Sequence, residues 1–208
     1  MRLVGVLDPG HGGHDPGCIG TRGTKEKDLT LRYALDLEAE LVRRGHTITV
    51  TRREDVFVTL GDRCKLANNL PKHADFLVSI HFDYSGSPQP HGTWAFYHNA
   101  ITYLADGRIN EWPSVKGQPL AGALVQHVTR EAGTHNRMIA PRPQYRNGER
   151  VEGSLAMLRD SKPWAALVEV CFLSNPADEA LAITDDFRAR VVLGMANGIE
   201  EWARNYLL

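Results

Sequence analysis

Short apolar runs alternate with stretches of helical periodicity along almost the whole chain, and that alternation restricts the fold before any motif is read. Residues 3–7 form a first apolar run and lead straight into the turn-rich stretch 8–17. Leu31, Ala34, Leu35, Leu37, Leu41 and Val42 then recur at helical spacing, with Asp28 as the expected N-cap and Gly45 just past the end. Residues 46–51 alternate as a strand does, 60–69 read as a second helix, and 75–82 and 92–97 as two further strands. The stretch 98–117 reads as irregular, 118–132 as a helix, and 134–153 as a polar loop. Residues 165–172 form a last apolar strand. Phe187, Val191, Val192, Met195, Ile199, Trp202 and Tyr206 line one stripe of a C-terminal helix. Strands interleaved with helices predict one α/β domain with a largely parallel or mixed sheet.

Composition excludes several classes of function. Over 208 residues, 24 Lys and Arg face 25 Asp and Glu, for a net charge of −1. Nothing in that balance would neutralise a phosphate backbone, so no nucleic-acid partner is expected. With 42% hydrophobic residues the chain is not disordered, and no apolar run reaches the length of a membrane span, so no stable membrane association is expected. Cys18, Cys64 and Cys171 are odd in number and widely spaced, which fits a reducing compartment rather than a disulfide framework. The first apolar run is too short for a signal-peptide core. The expectation is synthesis in the cytoplasm without a leader.

Four residues carry the chemical signal. His11 follows the first strand in a Gly-rich loop, His81 closes the third strand, and Glu26 precedes the first helix. Ligand sites in open α/β sheets gather beyond the carboxyl ends of strands, which would bring the three to one edge. Two imidazoles and a carboxylate form a donor set suited to catalytic zinc, with a position left for water or substrate. Glu169 interrupts the apolar run Ala-Ala-Leu-Val-Glu-Val-Cys-Phe, where an acid is costly unless paired or placed in a site. There it can serve as a general base in metal-assisted hydrolysis. Taken singly, His11, His81 and Glu26 each have a plainer reading: a solvated loop histidine, a packed strand-end histidine, a surface acid at a helix start. The separations match no short local zinc motif, so spacing alone leaves the site open.

At these residues the chain resembles the zinc-dependent N-acetylmuramoyl-L-alanine amidases of bacterial autolysins and phage endolysins. The resemblance runs in order through Leu7-Asp8-Pro9-Gly10-His11-Gly12-Gly13, Asp15-Pro16-Gly17, Glu26-Lys27-Asp28-Leu29, Thr51-Arg52 with Asp55, and Leu60 through Arg63 to Ala67-Asn68. It continues in Ser79-Ile80-His81, Gly92-Thr93, Leu158-Arg159, Leu167-Val168-Glu169 and Phe172-Leu173-Ser174-Asn175-Pro176. It implies one zinc ion held by His11, Glu26 and His81, with Glu169 catalytic. It implies hydrolysis of the amide between the lactyl group of N-acetylmuramic acid and L-alanine, with peptidoglycan as partner. It also implies a single three-layer domain over 1–208, a twisted, mainly parallel (mixed) sheet of about six strands flanked by helices, with no separate wall-binding domain. The sequence departs from the family pattern at Phe82-Asp83-Tyr84 and at Cys171, where a buried structural thiol is expected.

The loop over 134–153 carries Arg137, Arg142, Arg146 and Arg150 around Tyr145. Guanidinium forks bind carboxylates, and muramyl peptides carry them, so this loop is expected to grip the stem peptide. Arg142, Arg146 and Arg159 are the substrate-binding candidates. His14 lies close enough to His11 to compete as a ligand, although the family pattern does not require it. The resulting expectation is a phage or prophage-type wall lysin that acts after release through a pore or on lysis. The alternatives are a zinc peptidase acting within the stem peptide and a non-catalytic wall-binding module.

Overall fold

A computed structural model describes residues 1–98, 117–140 and 155–208 in full, and the backbone of 102–103, 109–110, 143–146 and 149–152. In chain order the elements are β1 (Val4–Pro9), α1 (Glu26–Arg43), β2 (Thr47–Val50), α2 (Leu60–Asn68), β3 (Phe76–Asp83), β4 (Thr93–Tyr97), β5 (Thr102–Tyr103), β6 (Ile109–Asn110) and α3 (Gly117–Ala132). There follow β7 (Asn136–Ala140), β8 (Pro143–Arg146), β9 (Glu149–Glu152), α4 (Ala156–Arg159), β10 (Trp164–Phe172), α5 (Pro176–Ala182) and α6 (Asp185–Tyr206).

Six strands form one mixed sheet in the order β2-β1-β3-β10-β4-β7. Every neighbouring pair is parallel except β10 with β4. Side chains alternate across it with the period of two that strands impose. Phe76, Val78, Ile80 and Phe82 of β3 and Ala166, Val168 and Val170 of β10 face one core, closed by α1, α3 and α6. Leu77 of β3, Phe96 of β4 and Ala165 and Leu167 of β10 face a smaller core with Cys64 of α2 and Met157 of α4. The α1 stripe of Leu29, Tyr33, Ala34, Leu37 and Leu41 and the α6 stripe of Phe187, Val191, Met195, Ile199 and Trp202 are buried, as their spacing requires.

The chain departs from the sequence expectation in two places. Helix α1 begins at Glu26, so Asp28 lies inside the first turn and is not the cap. The preceding loop replaces a capping side chain: Glu26 N donates to Cys18 O at 3.0 Å and Lys27 N to Pro16 O at 3.1 Å. The stretch 134–153 is not a loop throughout. Its first part is the edge strand β7, parallel to β4, and β8 and β9 pair as an antiparallel hairpin. Much of the irregular stretch 98–117 lies outside the described residues, β5 and β6 forming a two-stranded pair within it.

Candidate metal centre

His11, Glu26 and His81 converge. One ligand atom from each lies within 4.8 Å of the others, although the residues come from the β1–α1 loop, the start of α1 and the end of β3. Glu26 sits between the rings: His11 Nε2 is 3.2 Å from Oε2 and His81 Nδ1 is 3.0 Å from Oε1. The same carboxylate accepts Cys18 N at 2.9 Å and Phe82 N at 3.0 Å. Burial opposes its ionisation, yet the His11 and His81 rings hold its carboxyl well below the usual carboxylate range. The far nitrogen of His11, Nδ1, meets Asp15 Oδ2 at 2.8 Å, which orients the ring and leaves Nε2 turned to the cluster. Burial lowers the His11 imidazole pKa, but Glu26 and Asp15 outweigh it and the net shift is upward.

Backbone shape makes room for this cluster. His11 itself has φ 60, a left-handed conformation that is uncommon outside glycine. Two glycines leave space against the ligands. A Cβ at Gly10 would overlap the His81 ring, and one at Gly17 would lie 2.6 Å from Glu26 Oε2 and 2.7 Å from His11 Cδ2. Gly17 also has φ 67, which a side chain resists. A metal ion held by this cluster would bind on the order of 10-fold or more less tightly in Gly17→Ala while the fold persists, as read by zinc titration against a competing chelator and by thermal melting. Unchanged affinity would mean that the cluster tolerates displacement.

Two buried arginines fix the loop that carries His11. Arg63 donates to Pro9 O at 2.6 Å, His11 O at 2.6 Å and Val58 O at 2.9 Å, and pairs with Asp8 Oδ1 at 2.7 Å. Arg52 donates to Pro9 O, Gly10 O and Lys27 O at 2.8–3.1 Å. Asp8 also accepts Thr51 Oγ1 at 2.6 Å and Ser79 Oγ at 2.7 Å. Burial opposes its charge, but Arg63, Thr51 and Ser79 win, so its carboxyl lies below the usual range. Sequence reading placed Arg52 and Arg63 only as motif letters.

Glu169 completes the constellation. It is buried at 3% exposure on β10 and pairs in register with His81 on β3 and with Trp94 on β4. It lines the same cavity, of about 360 Å³, as His11, Glu26 and His81. Leu60, Leu155, Met157 and Leu167 form the apolar wall, and Phe82, Asp83 and Tyr84 also line the cavity. Cys18 also faces this cavity, and burial and Glu26 push its thiol well up, so it stays protonated. Cys171 is fully buried, as expected for a structural thiol.

The other candidates fall elsewhere. His14 is not in the cluster; its ring stacks on Phe57 with centroids 4.2 Å apart. Arg159 is exposed and clamps its neighbour Asp160 at 2.7 and 2.8 Å, and it does not line the cavity. Arg142 lies outside the described residues, and Tyr145, Arg146 and Arg150 are described as β8 and β9 backbone alone.

The donor set fits zinc: two imidazoles and an ionised carboxylate converge on one point, with a carboxylate behind one histidine. Residues 6–201 match the family described as N-acetylmuramoyl-L-alanine amidase. The amidase AmiC of Neisseria meningitidis serogroup B is 33% identical over 228 residues, covering 100% of this chain and 54% of its own length. The sporulation-specific N-acetylmuramoyl-L-alanine amidase of Bacillus subtilis is 32% identical, over 94% of this chain and 66% of that protein. This chain thus spans about half of the meningococcal relative and about two thirds of the Bacillus one. Among solved structures, an N-acetylmuramoyl-L-alanine amidase from Clostridium difficile 630 superposes with a TM-score of 0.81 at 27% identity, covering 99% of this chain and 98% of that one. The catalytic domain of the amidase CwlV from Bacillus (Paenibacillus) polymyxa var. colistinus gives 0.78 at 31%, covering 98% and 99%.

Proposed function

The chain belongs to the N-acetylmuramoyl-L-alanine amidase family, and on that premise we propose that it is a zinc-dependent peptidoglycan amidase. It cuts the amide between the lactyl group of N-acetylmuramic acid and the L-alanine of the stem peptide. The observation that carries the reading is the placement of Glu169 on the rung beside His81, in one cavity with all three donors. His11, Glu26 and His81 would hold one zinc ion per chain, and zinc there would polarise the scissile carbonyl as a Lewis acid. Glu169 takes a proton from the attacking water and passes it to the departing L-alanine nitrogen. The apolar wall of Leu155, Met157 and Leu167 thins the water around that transfer. Residues 1–208 act together as the catalytic unit.

The curated relatives named above are bacterial N-acetylmuramoyl-L-alanine amidases, one of them sporulation-specific, which supports a bacterial enzyme over a phage or prophage-type lysin. No helix among the described residues is long and apolar enough to cross a membrane. The test is digestion of purified peptidoglycan followed by mass analysis. Free peptides beginning with L-alanine beside uncut glycan are expected, with activity lost on chelation and restored by zinc. New amino termini inside the stem peptide would indicate a peptidase, and wall binding without cleavage an idle module.

A further inference from the structure

An extra residue in the edge strand turns one arginine onto the face of the sheet that carries Glu169. Thr93 pairs with Asn136 and Ala95 with Ile139, so Arg137 and Met138 together oppose Trp94. This is a β-bulge, a device that re-aims side chains beside functional sites. Met138 pays for it with φ 74, a strained conformation for a side-chain-bearing residue. The Arg137 guanidinium then lies 5.4 Å from the Trp94 ring centroid and 5.0 Å from that of Phe172. Trp94 is the register partner of Glu169, and opposed residues of an antiparallel pair point to the same face. Its ring is pinned by Nε1 donating to Asp83 Oδ2 at 2.8 Å, and Asp83 lines the cavity that holds Glu169, although neither Trp94 nor Arg137 lines it.

Among the described residues the cation on this platform has no anionic partner. No carboxylate among the described residues lies within 4.0 Å of it, whereas Arg63, Arg44 and Arg188 all form ion pairs. Among the described residues its Nε is buried without a hydrogen-bond partner, and Nη1 reaches only His91 O at 3.5 Å. A half-buried guanidinium over two rings, with N–H groups unspent among the described residues, is prepared for a planar anion.

We propose that Arg137 is a specificity-determining residue that binds a carboxylate of the stem peptide, next to the residue joined to the sugar. This rests on the amidase reading and adds the part of the substrate that is recognised. The test uses two synthetic N-acetylmuramoyl-L-alanyl peptides that differ only in the second residue, one with its free carboxylate and one with that group as a carboxamide. The wild-type enzyme is expected to have a KM roughly 10-fold or more lower on the carboxylate substrate. Arg137→Ala removes that preference by raising KM on the carboxylate substrate alone, with kcat nearly unchanged. Arg137→Lys, which keeps charge but not the fork, restores part of it. A variant that merely packs badly would lose both substrates in proportion, and that result overturns the assignment. So does a wild-type enzyme that cleaves both substrates equally well, which leaves the amidase reading standing. Cleavage of neither overturns both.

Discussion

Glu169→Gln is expected to lower kcat on purified peptidoglycan by about 100- to 10,000-fold while zinc content stays near one ion per chain. The amide is nearly isosteric with the acid, so the side chain still fills its place on β10 between His81 and Trp94. What it loses is the ability to accept a proton from water. The three atoms that converge as ligands come from His11, Glu26 and His81, and Glu169 supplies none of them. Metal content by elemental analysis and product release by mass analysis are the measurements. Full activity would remove Glu169 from the chemistry, and loss of zinc would make it a ligand instead of a base. His81→Ala, by contrast, should lose metal and activity together.

Arg63→Ala carries the second large effect, this time on stability. The Arg63 and Asp8 side chains are 3% and 1% exposed, and truncating one partner of a buried ion pair costs about 3–5 kcal/mol. The acidity of Asp8 sets the pH signature. In the wild type its pKa is depressed, so its contribution is present above the unfolded pKa and is lost as pH falls through the lower folded value. Without Arg63, burial is the dominant influence and drives the Asp8 pKa upward. The native state then binds the proton more readily than the unfolded chain, and the deficit shrinks as pH falls from neutral towards about 5. Denaturant melts of both proteins at several pH values test this. A pH-independent deficit would show that the loss lies in the severed carbonyl bonds of Pro9 and His11, not in the stranded acid.

The sequence made legible what local periodicity and apolar runs encode. β1, β3, β10, α1 and α6 lie close to where their patterns put them, because each buries a face whose spacing is visible in one dimension. β7 escaped because Asn-Arg-Met-Ile-Ala has no clean alternation and is half exposed, and its pairing with β4 contains a bulge. The start of α1 escaped because backbone atoms of a distant loop satisfy its first amides. At the site, the donors were readable as residue types in turn-rich or strand-end positions. Their support was not. Asp15 behind His11, and Arg52 and Arg63 under the loop, act through contacts that local spacing does not encode.

The shared rung of Glu169 and His81 has a consequence for how the enzyme can fail. On β10 the neighbours of Glu169 are Val168 and Val170, both turned into the opposite core. Sliding β10 by one residue against β3 would put a valine in the cleft and bury the acid among α1, α3 and α6, with most backbone hydrogen bonds remade. A misregistered molecule would therefore keep its secondary structure, and with it a normal far-ultraviolet dichroism spectrum, yet be catalytically silent. The irregularity in this pairing falls after Glu169, before Phe172, so the in-register run from Trp164 ends on the acid itself. Specific activity per folded molecule is thus a gauge of strand alignment, sensitive to a shift that spectroscopy of the backbone would miss.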